Sequence, residues 1–209
     1  NGDGIPKNNE EAVRYFKMAA DKGNVFGMKN YAIMLYNGRG IQPNKEEAAR
    51  YYKMAADKGE VYSMNSYGNM LFYGRGIQVN KEEASRYYKM AADKGNINSI
   101  KNYGNMLSKG DGIPMNKELA AYYYKMAADK GDAESMNSYG CMLDNGDGIP
   151  KNNEEAVRYF KMSADKGNFV GMRNYASMLY AGRGIQTNNE EAARYYKIVA
   201  DKDDSKSMI

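Results

Sequence analysis

The chain has 209 residues, 43% of them hydrophobic and 27% charged, with a formal net charge of +4. Those proportions set aside disordered and fibrous classes. Lys and Arg are interleaved with Asp and Glu rather than gathered in a basic run, so nucleic acid is not a favoured partner. With 20 Tyr and 16 Met but one Cys and no His, the chain lacks the means for nucleophile–histidine pairs and mixed His/Cys metal sites.

Gly38, Gly74, Gly110, Gly146 and Gly182 recur every 36 residues, as do Asp21, Asp57, Asp93, Asp129, Asp165 and Asp201. A fixed period of this size marks a repeat array, in which each unit buries its apolar face only by stacking on its neighbours. One elongated domain over residues 1–209 is expected. The start at NGDGIP, without Met and partway through a repeat, points to a fragment of a longer chain.

In chain order, one set of helices is expected near 9–22, 45–58, 81–94, 117–130, 153–166 and 189–202. Asn8, Asn44, Asn80, Asn116, Asn152 and Asn188 stand at their N-caps, and an acid such as Glu83 three residues on suggests a capping box. Lys-Gly pairs such as Lys94-Gly95 close them, the Gly taking a left-handed C′ conformation. A second set is expected near 25–37, 61–73, 97–109, 133–145 and 169–181. On one face of 61–73 lie Ser63, Tyr67, Met70 and Leu71, and on one face of 81–94 lie Ala84, Tyr87, Tyr88, Ala91 and Ala92. Short loops make successive helices antiparallel, and Gly or Ala at 32, 68, 104, 140 and 176 lets the partner helix approach. The fold class is therefore all-α, a right-handed α/α superhelix of helix-pair repeats.

Fifteen of the Met residues fall at three repeat positions, those of Met64, Met70 and Met90, which reads as core packing. The Tyr pairs at 51–52, 87–88 and 195–196 read the same way. Paired acids such as Glu46-Glu47 sit in first helical turns and complement the helix dipole. The loops GRGIQ at 38–42, 74–78 and 182–186 and GDGIP at 2–6, 110–114 and 146–150 lack the third Gly of a phosphate-binding fingerprint and follow helices. They are interhelix turns, with Ile41 and its equivalents expected to plug the seam between layers. At the C-terminal end Asp203 replaces the expected Gly, and a cut or disordered boundary is anticipated there.

Ser63, Tyr67-Gly68, Leu71, Gly74-Arg75-Gly76-Ile77, Asn80, Ala84, Tyr88, Ala91-Ala92 and Gly95 resemble the Sel-1-like repeat family, relatives of tetratricopeptide repeats. Tyr for Leu, Leu for Tyr and Asn for Asp are the departures, and the match spans essentially the whole chain. The resemblance implies an α/α superhelix serving as an adaptor or scaffold for other proteins; on the residue inventory above, no enzymatic activity, cofactor or metal is expected.

Function is then sought where repeats differ. Residues 1–42 and 145–186 differ at only six positions, and Lys29, Asn65, Lys101, Asn137 and Arg173 alternate charged and neutral. Positions opposite the packing face of the second set are expected to line a concave groove. They read Phe26, Lys29, Ile33, Tyr36; Tyr62, Asn65, Asn69, Phe72; Asn98, Lys101, Asn105, Ser108; Glu134, Asn137, Cys141, Asp144; and Val170, Arg173, Ser177, Tyr180. The expected partner is a protein or peptide. Aromatic residues would anchor its apolar side chains, Asn69 and Asn105 would bond its backbone, and Lys29, Lys101 and Arg173 would favour acidic residues. Two alternatives stay open: a brick in a large permanent assembly, and a regulatory module of a larger enzyme. Membrane insertion is not expected, since no apolar run reaches the roughly 18 residues that span a bilayer. A lone Cys141 leans toward a reducing, cytoplasmic setting.

Overall fold

The structure, a computed structural model, describes residues 8–207, with side chains over 8–201. Among the described residues there are eleven helices and no strand: α1 (Asn9–Asp21), α2 (Val25–Asn37), α3 (Lys45–Asp57), α4 (Val61–Tyr73), α5 (Lys81–Asp93), α6 (Ile97–Lys109), α7 (Lys117–Asp129), α8 (Ala133–Asn145), α9 (Asn153–Asp165), α10 (Phe169–Ala181) and α11 (Asn189–Ser207). Two compact units divide the chain, residues 1–99 and 100–209. Within the first, each of α1 to α5 packs on the next; within the second, α7 to α11 do the same.

The helix starts follow from their caps. Asn80 accepts the backbone N–H of Glu83 at 2.9 Å, and Asn8, Asn44, Asn116 and Asn152 do likewise. The expected capping box is not closed through the backbone, however. The cap's own N–H goes to the end of the preceding helix, Asn80 N–H to the Leu71 carbonyl at 2.9 Å and Asn44 N–H to Leu35 at 3.0 Å, leaving Glu83 to face the Asn80 side-chain amide at 3.4 Å. One asparagine thus starts a helix and ties it to its hairpin partner. A second set of caps was not anticipated from sequence: Asn24, Glu60, Asp132 and Asn168 accept from the residue three on and open α2, α4, α8 and α10.

At the C-terminal ends Lys22, Lys58, Lys94, Lys130 and Lys166 are caps rather than last-turn residues. Gly follows each with a positive φ, as at Gly95 (84°). Asp203 supplies no such stop, and α11 accordingly runs on to Ser207 instead of ending near 202.

The core is aromatic and small. Tyr67 stacks edge-on against Tyr87 at 4.8 Å, and Tyr31 against Tyr51 at 4.8 Å; such edge-to-face pairs add about 0.5–1.5 kcal/mol beyond burial. In the second unit Tyr139–Tyr159 and Tyr175–Tyr195 repeat the pair at 4.7 and 5.2 Å. Gly68 leaves room for the Tyr88 ring, which a Cβ would meet at 2.9 Å, and Gly140 does so for Phe160 at 2.8 Å. Met28, Met64, Met136, Met70, Met106 and Met178 are buried as expected, but Met18, Met54, Met90 and Met162 are exposed. That third Met position lies off the face shared by Tyr87, Tyr88, Ala91 and Ala92, so core packing does not account for it.

The seam residue is also different from the one expected. Ile41, Ile77, Ile113, Ile149 and Ile185 are only half-buried. The close approach is made by the second Gly of the loop, at Gly40, Gly76, Gly148 and Gly184: a Cβ on Gly76 would lie 2.5 Å from the Lys45 carbonyl carbon, and one on Gly148 2.5 Å from that of Lys117. The loop at 2–6 lies outside the described residues.

Gly76 (φ 79°) and Gly59 (φ 93°) both need left-handed backbone, but a Cβ on Gly59 meets nothing within 4 Å. Gly59→Ala should therefore cost about 1 kcal/mol of strain, and Gly76→Ala about 2–4 kcal/mol, since overpacking is added. Urea unfolding of the two variants measures the gap; equal midpoints would contradict the seam contact.

Candidate partner-binding surface

The residues expected to line a groove do not share one environment. Phe26 is 62% exposed and Tyr62 47%, and Asn98, Glu134, Val170, Arg173 and Tyr180 are exposed too. Lys29, Ile33, Tyr36, Asn69, Phe72, Lys101, Asn105, Ser108, Asn137, Cys141, Asp144 and Ser177 are half-buried. Asn65 is buried, at 8% exposure, with its Oδ1 accepting from Ser99 Oγ at 2.9 Å. It lines no open surface.

The alternation along this row has an internal cause. Lys29 reaches Glu60 at 3.5 Å, and Lys101 reaches Asp132 at 3.7 Å and Glu134 at 2.5 Å. Glu60 and Asp132 are the acidic caps of α4 and α8. Where the row is neutral, the following cap is Asn96 or Asn168 and the bond is amide to polar side chain: Asn65 to Ser99, and Asn137 accepting from Asn174 at 2.8 Å. Lys29 and Lys101 are therefore already neutralised by the next repeat rather than held out for an acidic partner. Asn69 and Asn105 likewise spend their Oδ1 on Tyr88 and Tyr124, each at 2.7 Å.

In the first unit a cavity of about 190 Å³ opens between α2, α3 and α4, lined by Tyr36, Asn37, Tyr52, Tyr62, Ser66, Asn69, Met70 and Arg75. It gathers Tyr36, Tyr62 and Asn69 from the expected row. Tyr52, read as core, forms its floor, and Arg75, read as turn, forms its lip. The sequence signal for Arg75 was present in its loop, where GRG replaces the GDG of other repeats. Arg75 Nη1 donates to Tyr36 Oη at 3.2 Å, and its guanidinium lies over the Tyr73 ring at 4.8 Å. Burial, and then the neighbouring Tyr62, push the Tyr52 hydroxyl well above the ordinary phenol range. Burial does the same to Tyr88, with Tyr73 adding to it. Both remain O–H groups in the folded protein.

In the second unit Arg183 takes the place of Arg75, and its Nη1 donates to both Asp144 carboxylate oxygens at 3.0 Å. Burial, then the Asp144 charge, raises the nearby Cys141 thiol. Among the described residues no helix is long and apolar enough to cross a membrane.

Capped helix pairs repeated on a 36-residue period, with a variable outer row, define an α/α repeat protein of the solenoid class. More narrowly, the Sel1 repeat model matches residues 1–24, 25–60, 61–96, 98–132, 133–168 and 170–204, and the chain belongs to the Sel1 repeat family. Such repeats are in general protein–protein interaction modules and typically non-enzymatic scaffolds. The chain is similar to a protective antigen present in uropathogenic Escherichia coli strains that displays an SLR fold (28% identity, TM-score 0.92, 97% of this chain and 43% of that one). It is also similar to a Sel1 repeat protein from Oxalobacter formigenes (28% identity, TM-score 0.79, 94% of this chain and 78% of that one). The immunity protein Pa5087 of Pseudomonas aeruginosa shares the fold alone (16% identity, TM-score 0.51, 96% of this chain and 76% of that one). The chain spans less than half the length of the antigen. No curated protein matches it.

Two outcomes follow from these partners. Lys101→Met leaves Asp132 without its cation and should lower stability by about 1 kcal/mol, given partial solvent screening; a thermal melt at neutral pH reads the loss. Tyr52 has a folded-state pKa raised above its ordinary 10. Its contribution is therefore fully present below pH 10 and is lost as pH rises beyond it. Above pH 10 the melting temperature of Tyr52→Phe should fall less steeply than that of the parent chain.

Proposed function

We propose that this chain is a scaffold that takes a peptide or a helix of a partner protein along the variable row of the even-numbered helices within a unit. The observation that carries the reading is in the first unit, where Tyr62 stands exposed on the wall of a tyrosine-lined cavity and Phe26 stands exposed at the equivalent position one repeat earlier. Large exposed aromatics next to a recess with hydrogen-bonding walls provide what an interface centre needs: an apolar anchor and a polar rim. The repeat family's general role in protein interaction supports it.

Arg173 and Tyr180 extend the proposal to the second unit, where both are exposed. Lys29, Lys101 and Asn65 are removed from it, because their polar atoms are spent on neighbouring repeats. Selectivity for acidic partners accordingly rests on Arg75 rather than on the lysines.

The test is selection from a displayed peptide library on the parent chain, followed by affinity measurement of recovered peptides on variants. Phe26→Ala with Tyr62→Ala should weaken them at least tenfold, as expected for loss of anchor residues, without moving the unfolding midpoint by more than a few degrees. Met90→Ser, at an exposed residue of α5, should leave them unchanged. Undiminished affinity in the double variant removes the row from consideration.

A further inference from the structure

The two units answer the same arginine in different ways. Arg183 in the second unit and Arg75 in the first occupy equivalent places, three repeats apart. Arg183 finds a carboxylate within its own unit, Asp144, whose side chain is only 14% exposed. At the position equivalent to Asp144 the first unit carries Tyr36, and Arg75 donates to that neutral hydroxyl at 3.2 Å instead. Among the described residues no carboxylate pairs with Arg75.

The walls differ in the same sense. Tyr52 and Tyr62, which line the cavity of the first unit, correspond to Phe160 and Val170 in the second. Where the arginine is internally satisfied the equivalent positions are apolar, and where it is not they bear hydroxyls. Tyr52, Tyr62 and Ser66 lie close enough for the hydroxyls of Tyr62 and Ser66 to act on that of Tyr52. With Tyr36 they give the recess several O–H groups around one guanidinium. Hydrogen bonds from such donors to an ionised acceptor are about twice as strong as neutral ones.

We infer that the cavity between α2, α3 and α4 binds the side-chain carboxylate of a glutamate or aspartate in the partner peptide, which takes at Arg75 the place that Asp144 holds at Arg183. The inference rests on the partner-binding reading above and specifies what one part of that surface recognises. A volume of about 190 Å³ accommodates an acidic side chain. The Arg75 guanidinium carbon lies 4.8 Å from the centre of the Tyr73 ring, a cation–π placement that anchors the charge at the cavity. Partner selection in this unit is then a matter of charge at one residue set among apolar anchors.

The test uses three short probes: acetyl-Gly-Glu-Gly-amide, acetyl-Gly-Gln-Gly-amide, and acetyl-Gly-Gly-Gly with a free C-terminus. NMR of the isotope-labelled full chain reads the Arg75 Nε–H and the Tyr36 and Tyr62 ring signals. The Glu probe should move them at concentrations at least tenfold below those at which the Gln probe does. Tyr36→Asp, which installs the carboxylate found in the second unit, should abolish the response and raise the melting temperature, whereas Tyr36→Phe should keep most of it. If Tyr36→Asp does not fold, Arg75→Gln must still abolish it. Equal response to Glu and Gln, response to the free C-terminus alone, or persistence in Tyr36→Asp or Arg75→Gln would overturn the assignment. Failure of the Glu probe while the library peptides still depend on Phe26 and Tyr62 would sink the carboxylate site alone; failure of both would sink the reading on which it rests.

Discussion

Within each hairpin a pair of tyrosine rings meets edge to face, and in the first unit the second ring also puts its hydroxyl to use. Tyr87 packs on Tyr67 and donates to Asp57 Oδ1 at 2.7 Å; Tyr51 packs on Tyr31 and donates to Asp21 at 3.3 Å. The acceptor belongs to the preceding hairpin, so one side chain closes its own helix pair and fastens it to the previous one. Burial raises the Asp57 carboxyl, but the hydrogen bonds from Lys53 and Tyr87 outweigh it and leave the group below its ordinary range. Lys53, one turn earlier on the same helix, holds that carboxylate in place at 2.6 Å. A repeat that cannot fold alone is thereby tied to its neighbour through buried aromatic area and a charge-assisted bond together.

The outer row shows the same economy of contacts. A cation there is answered by an acidic cap one repeat on, an amide by an amide or serine. This has a functional corollary: side chains that look like a basic recognition strip are largely parts of the interlayer contact. Among the described residues of that row, Phe26 and Tyr62 are exposed in the first unit, as Tyr180 is in the second.

Legibility in the sequence tracked the range of the interaction concerned. Helix limits were readable because caps, glycine stops and apolar spacing act within about four residues, and the second set of helices falls at the expected limits. The acidic and amide caps at Asn24, Glu60, Asn96, Asp132 and Asn168 could have been found the same way, each following a Gly at the fixed period. Site residues were less legible because their fate is decided by partners some 31 to 39 residues away, as with Lys29 and Glu60 or Arg75 and Tyr36. The clue was the alternation itself: Lys29 and Lys101 rise and fall in step with acidic Glu60 and Asp132, as contact partners do. Met90 and its equivalents misled for a different reason, since a repeated residue signals a repeated environment but not a buried one.

The cap alternation sets a rule for how such a chain can lengthen. Because a lysine in one repeat needs an acidic cap in the next, while an asparagine is matched with an amide cap, the chemical unit is two repeats rather than one. Gain or loss of a single repeat would set either a cation against an amide or an acid against an asparagine at the new junction; gain or loss of a pair leaves every junction matched. The near-copies at 1–42 and 145–186 lie four repeats apart, an even number. Parity of copying, written in the caps, thus decides whether each cation of the row meets an acidic cap.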